Sequence, residues 1–253
     1  MSAELHVQVC GGFGNRVRAM ISAICWGEDL GRRVTIWWWE SDMACRCGVE
    51  KLLDLSDLPS WVSVRGGYLD PSVPVCLQSD EFIAAGYPSA IKSYGHFHTS
   101  DPERWLQYLR RLRPVASIAE RVALLPPSEQ LVGIHIRRGD NQRAAEDSPL
   151  SAYVNEIWDR YREAPAFVIA TDCSQAQYVL LCLLQHRCLF PARNIDRYSE
   201  LGVYEAVVDF FSLARCRVIL GSAHSSFTDM AAAYGSSELK IIRAAATKDL
   251  PRP

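Results

Sequence analysis

Four short clusters join glycines, hydroxyls and cations in patterns suited to holding phosphate. The first is Gly11-Gly12-Phe13-Gly14-Asn15-Arg16, where glycines allow close backbone approach and the start of a following helix offers unpaired N–H groups to an anion. It is not a P-loop, because no Gly-Lys-Ser/Thr follows, and Val17 stands where the dinucleotide fingerprint has its last glycine. The second is His135-Ile136-Arg137-Arg138-Gly139-Asp140-Asn141. On a strand, residues 135 and 137 share a face, so His135 and Arg137 point together and Arg138 points away. Burying so many charges at one strand end is costly without a partner anion, which assigns Arg137 to a ligand phosphate. Arg138 has the alternative of an internal bridge to Asp140. The third cluster is Thr171-Asp172, where Asp172 either caps the next helix or meets a ligand. The fourth is Gly221-Ser222-Ala223-His224-Ser225-Ser226-Phe227, a second cradle of hydroxyls and helix N–H groups expected to face the first.

Other chemistries find little support. There is no G-x-S-x-G elbow and no H-E-x-x-H, and His96-Phe97-His98 is the sole histidine pair with a ligand-like spacing, expected on one face of a short strand. No two aspartates stand at i and i+2, so the D-x-D metal holder of many sugar-nucleotide enzymes is missing. No metal is therefore expected, and a leaving phosphate is left to arginine and backbone dipoles.

These clusters need elements to position them. Residues 5–10 alternate like a strand, 17–25 carry apolar residues at helical spacing with Asn15 placed to cap and Gly31 to end, and 34–39 read as a buried strand. Residues 40–100 are broken by prolines and glycines into loops and short strands. Helices are expected at 102–112 and 114–125, and Pro126-Pro127 marks a boundary between domains 1–126 and 127–253. The pattern restarts with a strand at 131–136, a polar loop at 137–148 and a helix from 149 to 162 capped by Ser148. It continues with a strand at 167–171, helices at 174–186 and 204–214, a strand at 218–221, a helix at 225–234 and a strand at 239–242. Such alternation predicts an α/β fold whose mostly parallel sheets are covered on both faces, with the ligand cleft beyond the carboxyl ends of the strands.

Composition agrees with a globular chain. Its 253 residues are 49% hydrophobic and 22% charged, with no run of about 18 apolar residues such as a membrane span needs. A net charge of −2 gives nucleic acid no global basic field to bind. Of the 27 cations only four are lysine, and arginine suits bidentate phosphate contact. Nine cysteines without a C-x-x-C pair point to reduced thiols and a cytoplasmic location.

Taken in order, with Ala170-Thr171-Asp172 between them, the first two clusters and the block from Asp209 to Thr228 resemble the α1,2/α1,6/protein O-fucosyltransferase superfamily. The resemblance implies a GT-B-like fold, two Rossmann-like domains facing across a cleft, with the first half on the acceptor side and the second on the donor side. It implies an inverting glycosyltransferase that uses GDP-fucose without a metal and acts on a glycan acceptor. Arg137 would then hold the β-phosphate, with His135 beside the ribose or phosphates and Ser225, Ser226 and Phe227 on phosphate. Glu205 or Asp209 would accept from guanine. Gly12, Gly14, Asn15, Arg16 and Asp172 complete the expected donor site, and Arg137, Asp140 and Glu146 the expected catalytic set. Glu146 is the expected general base, because its loop leaves the strand end that carries Arg137, and Asp147 and Glu40 are the alternatives.

Overall fold

The computed structural model describes residues 4–70, 72–73, 75, 89–139 and 141–244. The first half begins with β1 (Leu5–Val9), α1 (Phe13–Leu30) and β2 (Val34–Trp38), followed by the short β3 (Leu53–Asp54), β4 (Val62–Gly66) and β5 (Ala90–Ser93). Their sheet runs β4-β2-β1-β5 with every pairing parallel, and Leu5 registers with Val34. Next come α2 (Pro102–Arg111), β6 (Arg113–Pro114), which pairs antiparallel with β3, and α3 (Ala116–Ala123). Pro102 in the first turn and the Asp101 carboxylate, which accepts from Glu103 and Arg104 N–H, start α2.

The second half carries β7 (Leu131–Ile136), α4 (Gln142–Asp147), α5 (Leu150–Glu156), β8 (Ala166–Thr171), α6 (Ser174–Leu184), β9 (Cys188–Leu189), α7 (Glu200–Leu213), β10 (Val218–Ser222), α8 (Ser226–Gly235) and β11 (Glu238–Ile242). Its sheet, β11-β10-β7-β8-β9, is also wholly parallel. Alternate residues serve opposite faces: Phe167 and Ile169 of β8 pack with Tyr153 and Leu180, while Val168 and Ala170 join the core on the other side. Burial on both faces is why these strands read as apolar runs.

One apolar cluster spans both halves. Val17, Met20 and Ile24 of α1 share it with Val207 and Phe210 of α7 and Met230 of α8. Helix α1 packs on α8 and α2, and α3 packs on α7. The two parallel sheets lie on either side of Pro126-Pro127 in the chain, yet α3, before that point, lies on a helix after it. Phe210 stands edge-on to Phe13 at 5.2 Å and to Phe227 at 5.5 Å, tying the first turns of α1 and α8 to α7. Full burial of one such side chain is worth about 1.5–3 kcal/mol.

Several expectations are corrected. Gly12, in extended conformation, is the N-cap of α1, so Asn15 lies inside the first turn instead of capping it. The 137–148 stretch is not all loop: Asn141 caps α4 by accepting from Ala144 N–H at 3.0 Å. Pro149, not Ser148, precedes α5, which passes into a π-turn at Ile157–Tyr161. The Ser148 hydroxyl instead donates to Ile242 O at 2.6 Å and accepts from Ala223 N–H at 2.9 Å, joining the loop after β10 to β11. His96 and His98 lie outside any strand and part company: His98 Nε2 is 2.6 Å from Asp29, and His96 stands edge-on to Trp105. No helix among the described residues is long and apolar enough to cross a membrane.

Candidate functional site

A cavity of about 400 Å³ opens at the carboxyl ends of β1, β7, β8 and β10, the edge where a parallel α/β sheet presents its loops. From the first half it is lined by Gly11 to Asn15 and by Ala44. Gly11 sits in the left-handed region, φ +78°, which lets the chain turn sharply out of β1. Arg16 holds this turn from behind. Wholly buried, its guanidinium donates to Gly11 O at 2.8 Å, Trp39 O at 2.9 Å and Asp42 Oδ2 at 3.0 Å, and it packs on the Trp38 ring.

The start of α8 meets the start of α1. A Cβ built on Gly14 would stand 2.9 Å from both N and Cα of Phe227, so only glycine admits this approach. Two helix N-termini thus lie side by side at the cavity, and their partial positive charges add. Ser225 caps α8, and Ser226 and Phe227 line the wall. His135 is buried behind them, with Nδ1 hydrogen-bonded to the Thr228 hydroxyl and its ring 5.0 Å from that of Phe227. Burial, with the nearby Arg137 charge, pulls its pKa down to about 3, so the imidazole is neutral.

Arg137 lines the cavity with its guanidinium clamped. Asp172 accepts from Arg137 Nη1 at 2.9 Å and from the Arg138 N–H at 2.8 Å. The Arg137 N–H donates to Ser222 Oγ at 2.9 Å, and Tyr153 OH, 2.8 Å from that hydroxyl, donates to His135 O. Asp172 is therefore the holder of the β7 loop and not a helix cap, since Cys173 precedes α6. The Arg138 side chain turns away to Ser148 O at 2.8 Å. Asp140 lies outside the described residues.

The two acidic residues of α7 have different surroundings. Glu205 takes a two-pronged ion pair from Arg121, 2.7 and 2.8 Å, and the Arg193 N–H at 2.6 Å. Burial works against its charge, but these partners hold its carboxyl below the usual range, and it does not line the cavity. Asp209 does line it. Burial pushes its carboxyl well above the usual value, and the Ala192 N–H at 3.1 Å is its one described hydrogen bond.

Glu146 is exposed on α4, bonded to Gln142 Nε2 at 2.9 Å and outside the cavity lining, as are Arg16 and Glu205. Gly12, Gly14, Asn15, His135, Arg137, Asp172, Asp209, Ser225, Ser226 and Phe227 all line it. Sequence reasoning missed the third wall, Asn194, Ile195 and Arg197, and gave no separate role to His224, whose Nε2 stands 2.6 Å from Asp147. Arg197 Nη1 is 3.7 Å from Asp172. The signal available was topological: residues 190–199 follow a strand end, though β9 is only two residues long. Among the described residues no group of three or more His, Cys, Asp and Glu is arranged to hold a metal ion.

Beyond the carboxyl ends of β2 and β4, the Trp39 and Tyr68 rings lie 4.6 Å apart. Tyr68 and Tyr94 are 44% and 53% exposed, and the Tyr94 ring is 3.6 Å from where a Gly11 Cβ would be.

No protein-family model and no curated protein sequence matches the chain. Solved structures do. NodZ α-1,6-fucosyltransferase co-crystallized with GDP is similar over 90% of this chain and 91% of its own, with TM-score 0.62 and 17% identity. The fucosyltransferase NodZ from Bradyrhizobium gives 0.61 and 16% over 90% and 92%. POFUT1 in complex with GDP-fucose gives 0.59 and 10% over 95% and 97%. The chain therefore has the α/β, GT-B fold of these fucosyltransferases.

Proposed function

We propose that the chain is an inverting, metal-independent glycosyltransferase that moves fucose from GDP-fucose to a glycan hydroxyl. The observation that carries this reading is the meeting of two helix N-termini, at Gly14 and Phe227, beside the clamped fork of Arg137. That arrangement suits a diphosphate leaving group, because N–H groups, helix dipoles and a rigid guanidinium all stand ready before charge develops. The GDP and GDP-fucose bound by the structural neighbours support the same donor.

In this reading Arg137 takes the β-phosphate, Ser225, Ser226 and Phe227 take phosphate through hydroxyl and N–H groups, and Gly12, Gly14 and Asn15 supply the first helix end. Asp172 keeps Arg137 aimed, Arg16 keeps the Gly11 turn shaped, and neutral His135 packs beside the ribose and phosphates. Asp209, not the ion-paired Glu205, reads guanine N1–H and the amino group. The acceptor lies toward the Trp39, Tyr68 and Tyr94 rim, whose amphipathic rings suit the C–H faces of a sugar. Of the cavity carboxylates, Asp172 is committed to Arg137 and, in this reading, Asp209 to guanine. Removal of the acceptor proton is assigned to an exposed carboxylate outside the lining, Glu146 first. The eight cysteines among the described residues are free thiols, which supports work in the cytoplasm.

Calorimetric titration with GDP, UDP and CMP, each in excess EDTA, tests the site. The reading expects GDP to bind at least about tenfold tighter than UDP, a difference of about 1.4 kcal/mol. Equal affinities would remove guanine recognition from the account.

A further inference from the structure

His224 occupies the cavity wall between β10 and the α8 cap Ser225, with its backbone in the left-handed region at φ +57°. A residue bearing a Cβ seldom adopts that conformation unless its surroundings hold it there. Here they do. Asn141 Nδ2 donates to His224 O at 3.2 Å, and Asp147 Oδ2 lies 2.6 Å from His224 Nε2. The ring is thereby fixed through one nitrogen, which leaves Nδ1 as its other donor, one residue away from the Ser225-Ser226 phosphate cradle.

We propose that His224, oriented by Asp147, is the proton donor to the departing diphosphate. The proposal rests on the donor reading above and adds a residue to it. As the bond from the anomeric carbon to the β-phosphate oxygen breaks, its electron pair stays on that oxygen, which takes the Nδ1 proton. The acceptor oxygen forms the new bond to the same carbon, and its own proton goes to the base. His224 is left neutral and regains a proton from water once GDP has gone.

Charged groups stand on both sides of the ring. Asp147 faces His224 Nε2, and Arg243 Nη1 stands 3.9 Å from the same carboxylate. Around the cavity, Arg137 and Arg197 oppose a further positive charge, Asp172 offsets part of theirs, burial raises the Asp209 carboxyl pKa, and His135 is neutral. A bound diphosphate reverses the balance at Nδ1, so donor binding and protonation of His224 reinforce each other.

The test is ¹H–¹⁵N NMR of the histidine rings across a pH titration, with and without saturating GDP, alongside the backbone amides of Gly12, Gly14 and Ser226. The proposal expects GDP to raise the His224 midpoint by about one pH unit or more, an effect that D147N diminishes. H224Q is expected to weaken GDP binding about tenfold at pH 6 but far less at pH 8, after the titration of GDP itself is subtracted using the same variant. Initial-rate hydrolysis of GDP-fucose by H224Q should fall in kcat. If GDP shifts the three amides and leaves the His224 midpoint where it was, the proposal is overturned while the donor site stands. If the amides do not respond, the donor site falls, and this proposal with it.

Discussion

Gly14 and Phe227 touch with no room for a side chain between them, at the point where the first turn of α1 meets the first turn of α8. Backbone contact here is what places two helix ends on one cavity. Gly14→Ala must therefore push one helix start away from the other. The expected cost is about 1–3 kcal/mol in stability, as for other overpacked contacts, together with weaker GDP binding. Denaturant unfolding and calorimetry on the same variant check it, and an unchanged pair of values would mean the close approach is dispensable.

Arg137→Ala is expected to lower kcat by about 10²–10³, the loss of roughly 2.7–4 kcal/mol that follows removal of one preorganised stabiliser of a developing anion. Arg137→Lys should also fall well short of the wild type, because an ammonium cannot reproduce the planar fork that Asp172 holds. Near-normal turnover by the alanine variant in steady-state assays would remove Arg137 from the phosphate.

Glu146→Gln keeps shape and removes basicity. If Glu146 accepts the acceptor proton, kcat falls by about 10²–10⁴ while GDP affinity is unchanged. A loss smaller than about tenfold moves the base to Glu40 or Asp147; Glu40→Gln is the deciding variant, because Asp147→Asn also disturbs His224.

Two buried groups give opposite dependences of stability on pH. His135 titrates near pH 3 in the fold and near about 6.5 unfolded, so between those values the unfolded chain binds a proton that the fold refuses, and stability falls as pH drops. The Asp209 pKa is raised in the fold. Its contribution is complete below the unfolded value of about 3.9 and is lost as pH rises toward the folded one. Asp209→Asn preserves the acceptor for the Ala192 N–H and removes the ionisation, so it should raise Tm at pH 7 more than at pH 4 while weakening GDP binding. Equal Tm changes at both pH values would contradict the raised Asp209 pKa.

The strands and long helices were legible because their apolar periods reflect burial on one or both faces, as in β7, β8 and α1. Local hydrogen bonding was harder to read. Asn15 has the right chemistry to cap, but the extended Gly12 begins the helix earlier, and α4 has six residues, too few to show a period. The choice between Glu205 and Asp209 was not local at all. Four residues apart on one helix, they differ in surroundings because Arg121 reaches Glu205 from α3. The third wall of the cavity, around Arg197, comes from a segment whose partner Asp172 is distant in sequence.

The most direct test of the central claim follows GDP release from purified protein given GDP-fucose, GDP-mannose and UDP-glucose with a panel of glycan acceptors, in excess EDTA. The account predicts acceptor-stimulated release from GDP-fucose that resists chelation and is lost in Arg137→Ala. No GDP release from any guanosine diphosphate sugar, release equal in wild type and Arg137→Ala, or release abolished by EDTA and restored by manganese would contradict it.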